Sequence, residues 1–209
     1  MKINENIRKL VNTAILTAVV LVLGFISNYI SFGPININLA LLAIIIGACF
    51  VGPLAGFWLG VVDGFVICLA PSTLAFFMSY NWWATILLCI LKTGLAGYVA
   101  GLLYKYLGKI NSWLGSVSAS LMVPIINTAV YIGAVFVFFL PQFAAGAADK
   151  GVDVVKYFIT ITLTQNWIIE MLVVGITTPL IHRLVLFLSL KYEQQMNNHS
   201  IEKNEEIEE

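Results

Sequence analysis

Apolar runs separated by short polar breaks account for most of the chain. Because a bilayer span needs about 20 predominantly apolar residues, the pattern predicts six helices. The first runs from about Leu10 to Ile30, and the polar passage SFGPININ turns the chain into a second from about Leu39 to Val51. Gly52-Pro53 breaks that run and opens the third, since proline suits a first helical position. The third ends near Pro71 and leads into PSTLAFFMSYNWW, an uncharged segment whose Tyr80, Trp82 and Trp83 fit a membrane interface. The fourth helix is expected from about Ala84 to Tyr106, the fifth from about Trp113 to Leu140 and the sixth from about Phe158 to Leu190. QFAAGAADKGVDVVKY reads as a polar loop before the sixth, and the residues after Leu190 as an acidic, disordered tail without apolar periodicity. The expectation is an all-α integral membrane protein with one six-helix transmembrane domain over residues 1–190 and a tail over 191–209.

Within the third run glycine recurs every fourth residue, at Gly52, Gly56, Gly60 and Gly64. That spacing puts all four on one helix face, where the lack of side chains lets a neighbouring backbone approach closely. The fourth run carries a second small-residue face, Gly94, Gly97 and Gly101 with Ala96 and Ala100, which reads as packing surface.

Composition agrees with the pattern: 60% of residues are hydrophobic and 11% charged, against roughly 25% charged in a soluble domain, and the mean hydropathy is +0.93. Zero formal net charge gives no basic excess for nucleic acid. The positions of the charges orient the chain, because cytoplasmic loops are enriched in lysine and arginine. Lys2, Arg8 and Lys9, then Lys105 and Lys109, then His182, Arg183 and Lys191 all fall on one side. On the other, Lys150 and Lys156 are balanced by Asp149 and Asp153, so both termini are expected in the cytoplasm. The N-terminal MKINENIRKL reads as the flank of a retained first helix, not as a cleaved signal.

No catalytic set emerges. Cys49, Cys68 and Cys89 form no CxxC pair, which argues against a disulfide framework or metal site. There is no phosphate-binding loop, HExxH or GxSxG, and the two histidines are His182 and His199. An enzyme, a cofactor and unaided nucleotide hydrolysis are therefore not expected.

The chemistry lies in polar residues inside apolar runs: Asp63, Lys92, Asn127, Gln165, Asn166 and Glu170. A charged side chain at a helix centre costs about 2.5–3.5 kcal/mol on insertion scales, so each needs a partner or a function. Their depths put the group in the outer half of the bilayer. Asn127 and Tyr131 are one helical turn apart, as are Asn166 and Glu170, and Asn81, Thr85, Leu88 and Lys92 form a stripe. Convergent polar faces describe a pocket. The competing account pairs Lys92 with Glu170 or Asp63 and leaves the amides as interhelical hydrogen bonds worth about 0.6 kcal/mol each.

The first helix reads NTAILTAVVLVLG, with Ala14 and Ala18 one turn apart near its cytoplasmic start. Together with the Gly52-Pro53 turn, the VVDG ending of the third helix and KTGLAGYVAGLLYK, this resembles the substrate-binding S components of energy-coupling factor (ECF) vitamin transporters. The resemblance covers the chain to Leu190. It implies that Ala14 and Ala18 dock on a transmembrane coupling subunit, which works with two cytoplasmic ATPases in the bacterial plasma membrane. It implies further that Asn81, Trp82, Lys92, Asn127, Tyr131, Asn166 and Glu170 bind a small-molecule vitamin, with Asn36 and Asn38 as a lid.

A single cation among amides and hydroxyls suits a small carboxylate with polar arms, and the PIINTAV and QNWIIE segments look most like the branch with pantothenate-type members. Riboflavin, which would stack on Trp82, Trp83, Trp167 or Tyr131, is the alternative, followed by folate or a pyridoxine-like compound. Asp63 is expected to position Lys92. Two other classes compete: a scaffold whose small-residue faces recruit partners, and a stand-alone proton-coupled carrier using Asp63 and Glu170. The carrier lacks internal repeats and has few spans for alternating access.

Overall fold

Helices form where the apolar runs predict them, but they are not all of membrane length. A computed structural model describes residues 5–29, 31–32, 35–36, 38–160 and 167–208. In chain order they are α1 (Glu5–Tyr29), α2 (Ala40–Phe50) and α3 (Pro53–Cys68). A single turn follows, α4 (Pro71–Thr73), continued by a π-helical turn, Leu74–Met78. Next come α5 (Trp82–Leu107) and α6 (Ser112–Ala134), which a second π-helical turn, Val135–Phe139, joins to α7 (Leu140–Asp149). The last two are α8 (Val154–Ile159) and α9 (Ile168–Glu208). Between α1 and α2 the strands β1 (Ser31–Phe32) and β2 (Ile35–Asn36) pair antiparallel, Ser31 opposite Asn36.

Four helical segments among the described residues are long and apolar enough to cross a bilayer: Asn6–Tyr29, Trp82–Leu107, Ser112–Asp149 and Glu170–Lys191. Pro53–Cys68 and Pro71–Met78 make a fifth if taken as one span bent by 67°. Six full-length spans are therefore not what the described helices provide. The shortfall is at α2, whose 11 residues reach only about 16 Å at 1.5 Å per residue. It is enclosed on most sides: Ala40, Leu41, Ile44, Ile45 and Ala48 are buried and share a core with Val20, Leu59, Ala96, Ala100, Val123, Ile181 and Val185 from the surrounding helices, and only the Leu42, Ile46 and Phe50 face is half-buried.

The α3–α5 crossing depends on the glycine ladder. A Cβ placed on Gly56 would stand 2.4 Å from the Gly97 carbonyl oxygen, one on Gly60 2.2 Å from that of Thr93, and one on Gly64 2.6 Å from that of Cys89. From the other side, a Cβ on Gly97 would meet the Gly56 carbonyl at 2.2 Å and one on Gly101 the Pro53 Cα at 2.5 Å. The two small-residue faces thus fit each other backbone to backbone in antiparallel register. Thr93 adds a hydrogen bond, its Oγ1 donating to the Gly60 carbonyl at 2.6 Å. Gly52 takes a φ of 130° in the turn before Pro53, a conformation that glycine alone adopts without strain.

Two stretches differ from the sequence reading. The segment read as a polar loop before the sixth helix is largely helical: Phe143 and Ala147 of α7 are buried one turn apart, and alanine-rich QFAAGAAD favours helix. Gly151, at φ 63°, then turns the chain, and the Asp153 carboxylate caps α8. The tail read as disordered continues α9 to Glu208. It is rich in glutamate, glutamine and lysine, good helix formers that only have to extend a helix already nucleated.

Candidate functional site

The residues singled out in the sequence sort into three groups according to what the folded chain gives them as partners. In the first, Asn127 on α6 and Glu170 on α9 meet directly. Both are buried, at 5% and 6% exposure, and Asn127 Nδ2 donates to Glu170 Oε2 at 3.1 Å. The other amide atom of Asn127, Oδ1, has no hydrogen-bond partner among the described residues. Half-buried Lys92 on α5 acts on Glu170 through its field and not through a hydrogen bond, and it acts on Asp63 in the same way. The structure therefore brings Lys92, Asn127 and Glu170 into one electrostatic cluster, with Asp63 at its edge. Tyr131, one turn beyond Asn127, is half-buried and meets the ring of Phe77 edge-on at 6.1 Å.

In the second group are residues that the fold uses for its own connections. Fully buried Asp63 takes its hydrogen bond not from Lys92 but from Asn38, whose Nδ2 donates to Oδ2 at 2.8 Å. Asn38 Oδ1 meanwhile accepts from the Ala40 amide at 3.0 Å, at the start of α2. Beside this pair Ser27 Oγ accepts from the Leu39 amide at 2.9 Å, and Asn28 Nδ2 donates to the Val66 carbonyl at 3.0 Å. These bonds tie the end of α1 and the start of α2 to α3. Asn81 caps α5, its side-chain oxygen accepting from the Ala84 amide at 3.1 Å. Thr85 Oγ1 donates to the Asn81 carbonyl at 2.7 Å, so Asn81 and Thr85 of the stripe read on this helix serve its first turn, while Lys92 acts on Glu170 through its charge.

The third group stands apart. Trp82 is 52% exposed and stacked on Trp83, ring centroids 4.0 Å apart, an arrangement suited to a membrane interface. Ala14 and Ala18 lie on an exposed face of α1, flanked by exposed Leu10, Val11, Ile15 and Val22. Asn166 and Gln165 lie outside the described residues, and of Asn36 the structure describes only the backbone in β2.

Sequence reasoning missed the aromatic layer above the cluster. Phe76 and Phe77 of the first π-helical turn meet Phe139 of the second and Phe143 of α7 in edge-on or tilted contacts at 5.1–6.4 Å. Gln142 Nε2 donates to the Phe76 carbonyl, holding α7 on that turn. The available signal was the spacing of Phe139 and Phe143, one helical turn apart in a stretch read as helix end and loop. Cys68 at the end of α3 and Cys89 on α5 are both buried free thiols.

The arrangement offers a small polar molecule a cation, a buried carboxylate and an unspent amide oxygen near aromatic rings, and no nucleophile and base are juxtaposed among the described residues. No curated protein and no solved structure matches the chain. A family model described as "ECF transporter, substrate-specific component" matches residues 8–182, which take in every helix of the cluster and the exposed alanine face. By that match the chain belongs to the family of substrate-specific components of ECF transporters, a membrane transport family, with which its long apolar helices agree.

Proposed function

We propose that the chain captures a water-soluble vitamin in its outer half and delivers it through an ECF module for high-affinity uptake across a bacterial plasma membrane. The observation that carries this reading is the Asn127–Glu170 hydrogen bond with Lys92 beside it, a polar cluster built where apolar side chains would serve packing better. Lys92, Asn127, Tyr131 and Glu170 contact the ligand, Asn166 is assigned to the same set by its place in the sequence, and Asn81 and Trp82 border the entrance. Ala14 and Ala18 form the strip on which a transmembrane coupling subunit docks, and two cytoplasmic ATPases supply the energy that this chain cannot.

The topology that goes with this function has six passes and both termini in the cytoplasm. Short α2 counts as one pass, since an odd number would put Arg8 and Lys9 on the opposite side from Arg183 and Lys191. Residues 1–190 form the transmembrane domain and 191–209 a cytoplasmic tail, into which α9 continues as far as Glu208.

Pantothenate is the first vitamin to test, its carboxylate on Lys92, whose ammonium is hydrogen-bonded to neither Asp63 nor Glu170. Riboflavin is second, favoured by the rings of Phe77 and Tyr131. Equilibrium binding of pantothenate, riboflavin, folate and pyridoxine to the purified protein decides the matter. One compound is expected to bind with a Kd below about 1 μM; no binding by any of them would overturn the reading.

A further inference from the structure

The bond between Asn127 and Glu170 also constrains what the ligand must present. A carboxamide can turn over to exchange its oxygen and nitrogen, so a free asparagine reads donors and acceptors alike. Asn127 is not free in this sense. Its Nδ2 donates to Glu170 Oε2 at 3.1 Å, and an ionised carboxylate only accepts, so while Glu170 carries its charge turning the amide would set oxygen against oxygen. The lock leaves Oδ1 as an unpartnered acceptor on a side chain that is 5% exposed. Lys92, the nearby cation, is not bonded to it.

We propose that Asn127 is a polarity-locked acceptor that recognises a hydroxyl or N–H donor on the ligand, and that Glu170 is the positioning residue that locks it. The proposal rests on the functional reading above and deepens it: the ligand carries a donor at the depth of α6 Asn127, whatever its other end presents to Lys92. A ligand with an ether, ester or tertiary amide at that point meets an oxygen facing an oxygen and is rejected. A site built to hydrogen-bond a donor rejects analogues lacking it far more strongly than a site that merely excludes bulk.

The test uses the full-length protein and whichever of pantothenate, riboflavin, folate and pyridoxine it binds, with derivatives methylated at each hydroxyl or N–H in turn. In the native protein one such derivative is expected to lose on the order of 10⁴-fold in affinity, well beyond the roughly 100-fold that an added methyl costs by bulk alone. In Glu170→Gln the partner amide can donate as well as accept, Asn127 is released to turn, and the same methylation is expected to cost no more than that bulk effect. Asn127→Leu, which keeps volume but has no acceptor, is expected to separate parent and derivative by bulk alone, and it serves if Glu170→Gln does not fold. The proposal is overturned if no single methylation discriminates beyond bulk in the native protein. It is equally overturned if Glu170→Gln and Asn127→Leu weaken parent and derivative by the same factor, the behaviour of a bond that only joins two helices. Failure of all four vitamins to bind would instead overturn the functional reading, and this inference with it.

Discussion

The α3–α5 crossing and the Asn127–Glu170 cluster solve the problem of bringing helices together in lipid in contrasting ways. At the crossing, contact comes from having nothing in between: glycine faces carbonyl, and any added atom falls within 2.2–2.6 Å of backbone. In the cluster, side chains of α5, α6 and α9 reach toward one another and leave an acceptor unspent. The first interface has no spare valence and therefore no room for a ligand. The second is under-satisfied, which costs stability and, on the function proposed, provides recognition. Scaffold and site are thus separable in this chain, and substitutions should divide the same way.

The largest effect is expected at the crossing. Gly60→Ala puts a Cβ 2.2 Å from the Thr93 carbonyl, and because both partners are backbone the helices must separate. A loss of about 3 kcal/mol is expected, at the upper end for overpacking. Gly133→Ala is the matched control, since a Cβ there meets nothing within 4 Å; it should stabilise α6 by about 0.5–1 kcal/mol. Thermal unfolding of both variants in one detergent compares them, and equal behaviour would mean that the ladder is not the scaffold.

Glu170→Ala should have the next largest effect, about 1–3 kcal/mol, because it leaves both amide atoms of buried Asn127 unpaired. Lys92→Met should leave unfolding nearly unchanged and weaken vitamin binding roughly 10- to 100-fold, equivalent to about 1.4–2.7 kcal/mol. A Lys92 variant that loses stability but keeps its ligand would reverse the division proposed here. Asn81→Ala should cost about 1 kcal/mol through loss of the α5 cap. If its effect falls on affinity alone, Asn81 touches the ligand after all. Least affected in fold and binding should be Ala18→Trp, on an exposed face; its consequence is expected in co-purification with the coupling subunit.

The same two regions explain how much could be read from the sequence. The ladder at Gly52, Gly56, Gly60 and Gly64 is a local regularity, and its fit to Gly97 and Gly101 follows because a face without side chains can only be packed by another. The Gly52-Pro53 turn was legible for the same reason, each residue having one backbone conformation that suits it. The members of the polar cluster were visible as costs in lipid, but their pairing was not. Nothing local to α3 announces that Asp63 bonds to Asn38, 25 positions away, and nothing in α6 announces Glu170, 43 positions away. The length of α2 was legible and was outweighed by its hydropathy, which reports burial in a protein core as readily as burial in lipid. The helices α7 and α8 were hidden because polar residues at a membrane surface are compatible with either a loop or a helix.

The central claim is that ligand chemistry resides in the Lys92–Asn127–Glu170 cluster and coupling on the α1 face. Its most direct test is mass spectrometry of small molecules carried through purification by the native protein, by Lys92→Met with Asn127→Leu, and by Ala14→Trp with Ala18→Trp. The account predicts a vitamin at near one-to-one stoichiometry in the native protein and in the alanine-face variant, and none in the cluster variant, each compared as folded protein. A vitamin retained by the cluster variant, or lost from the alanine-face variant, would contradict it.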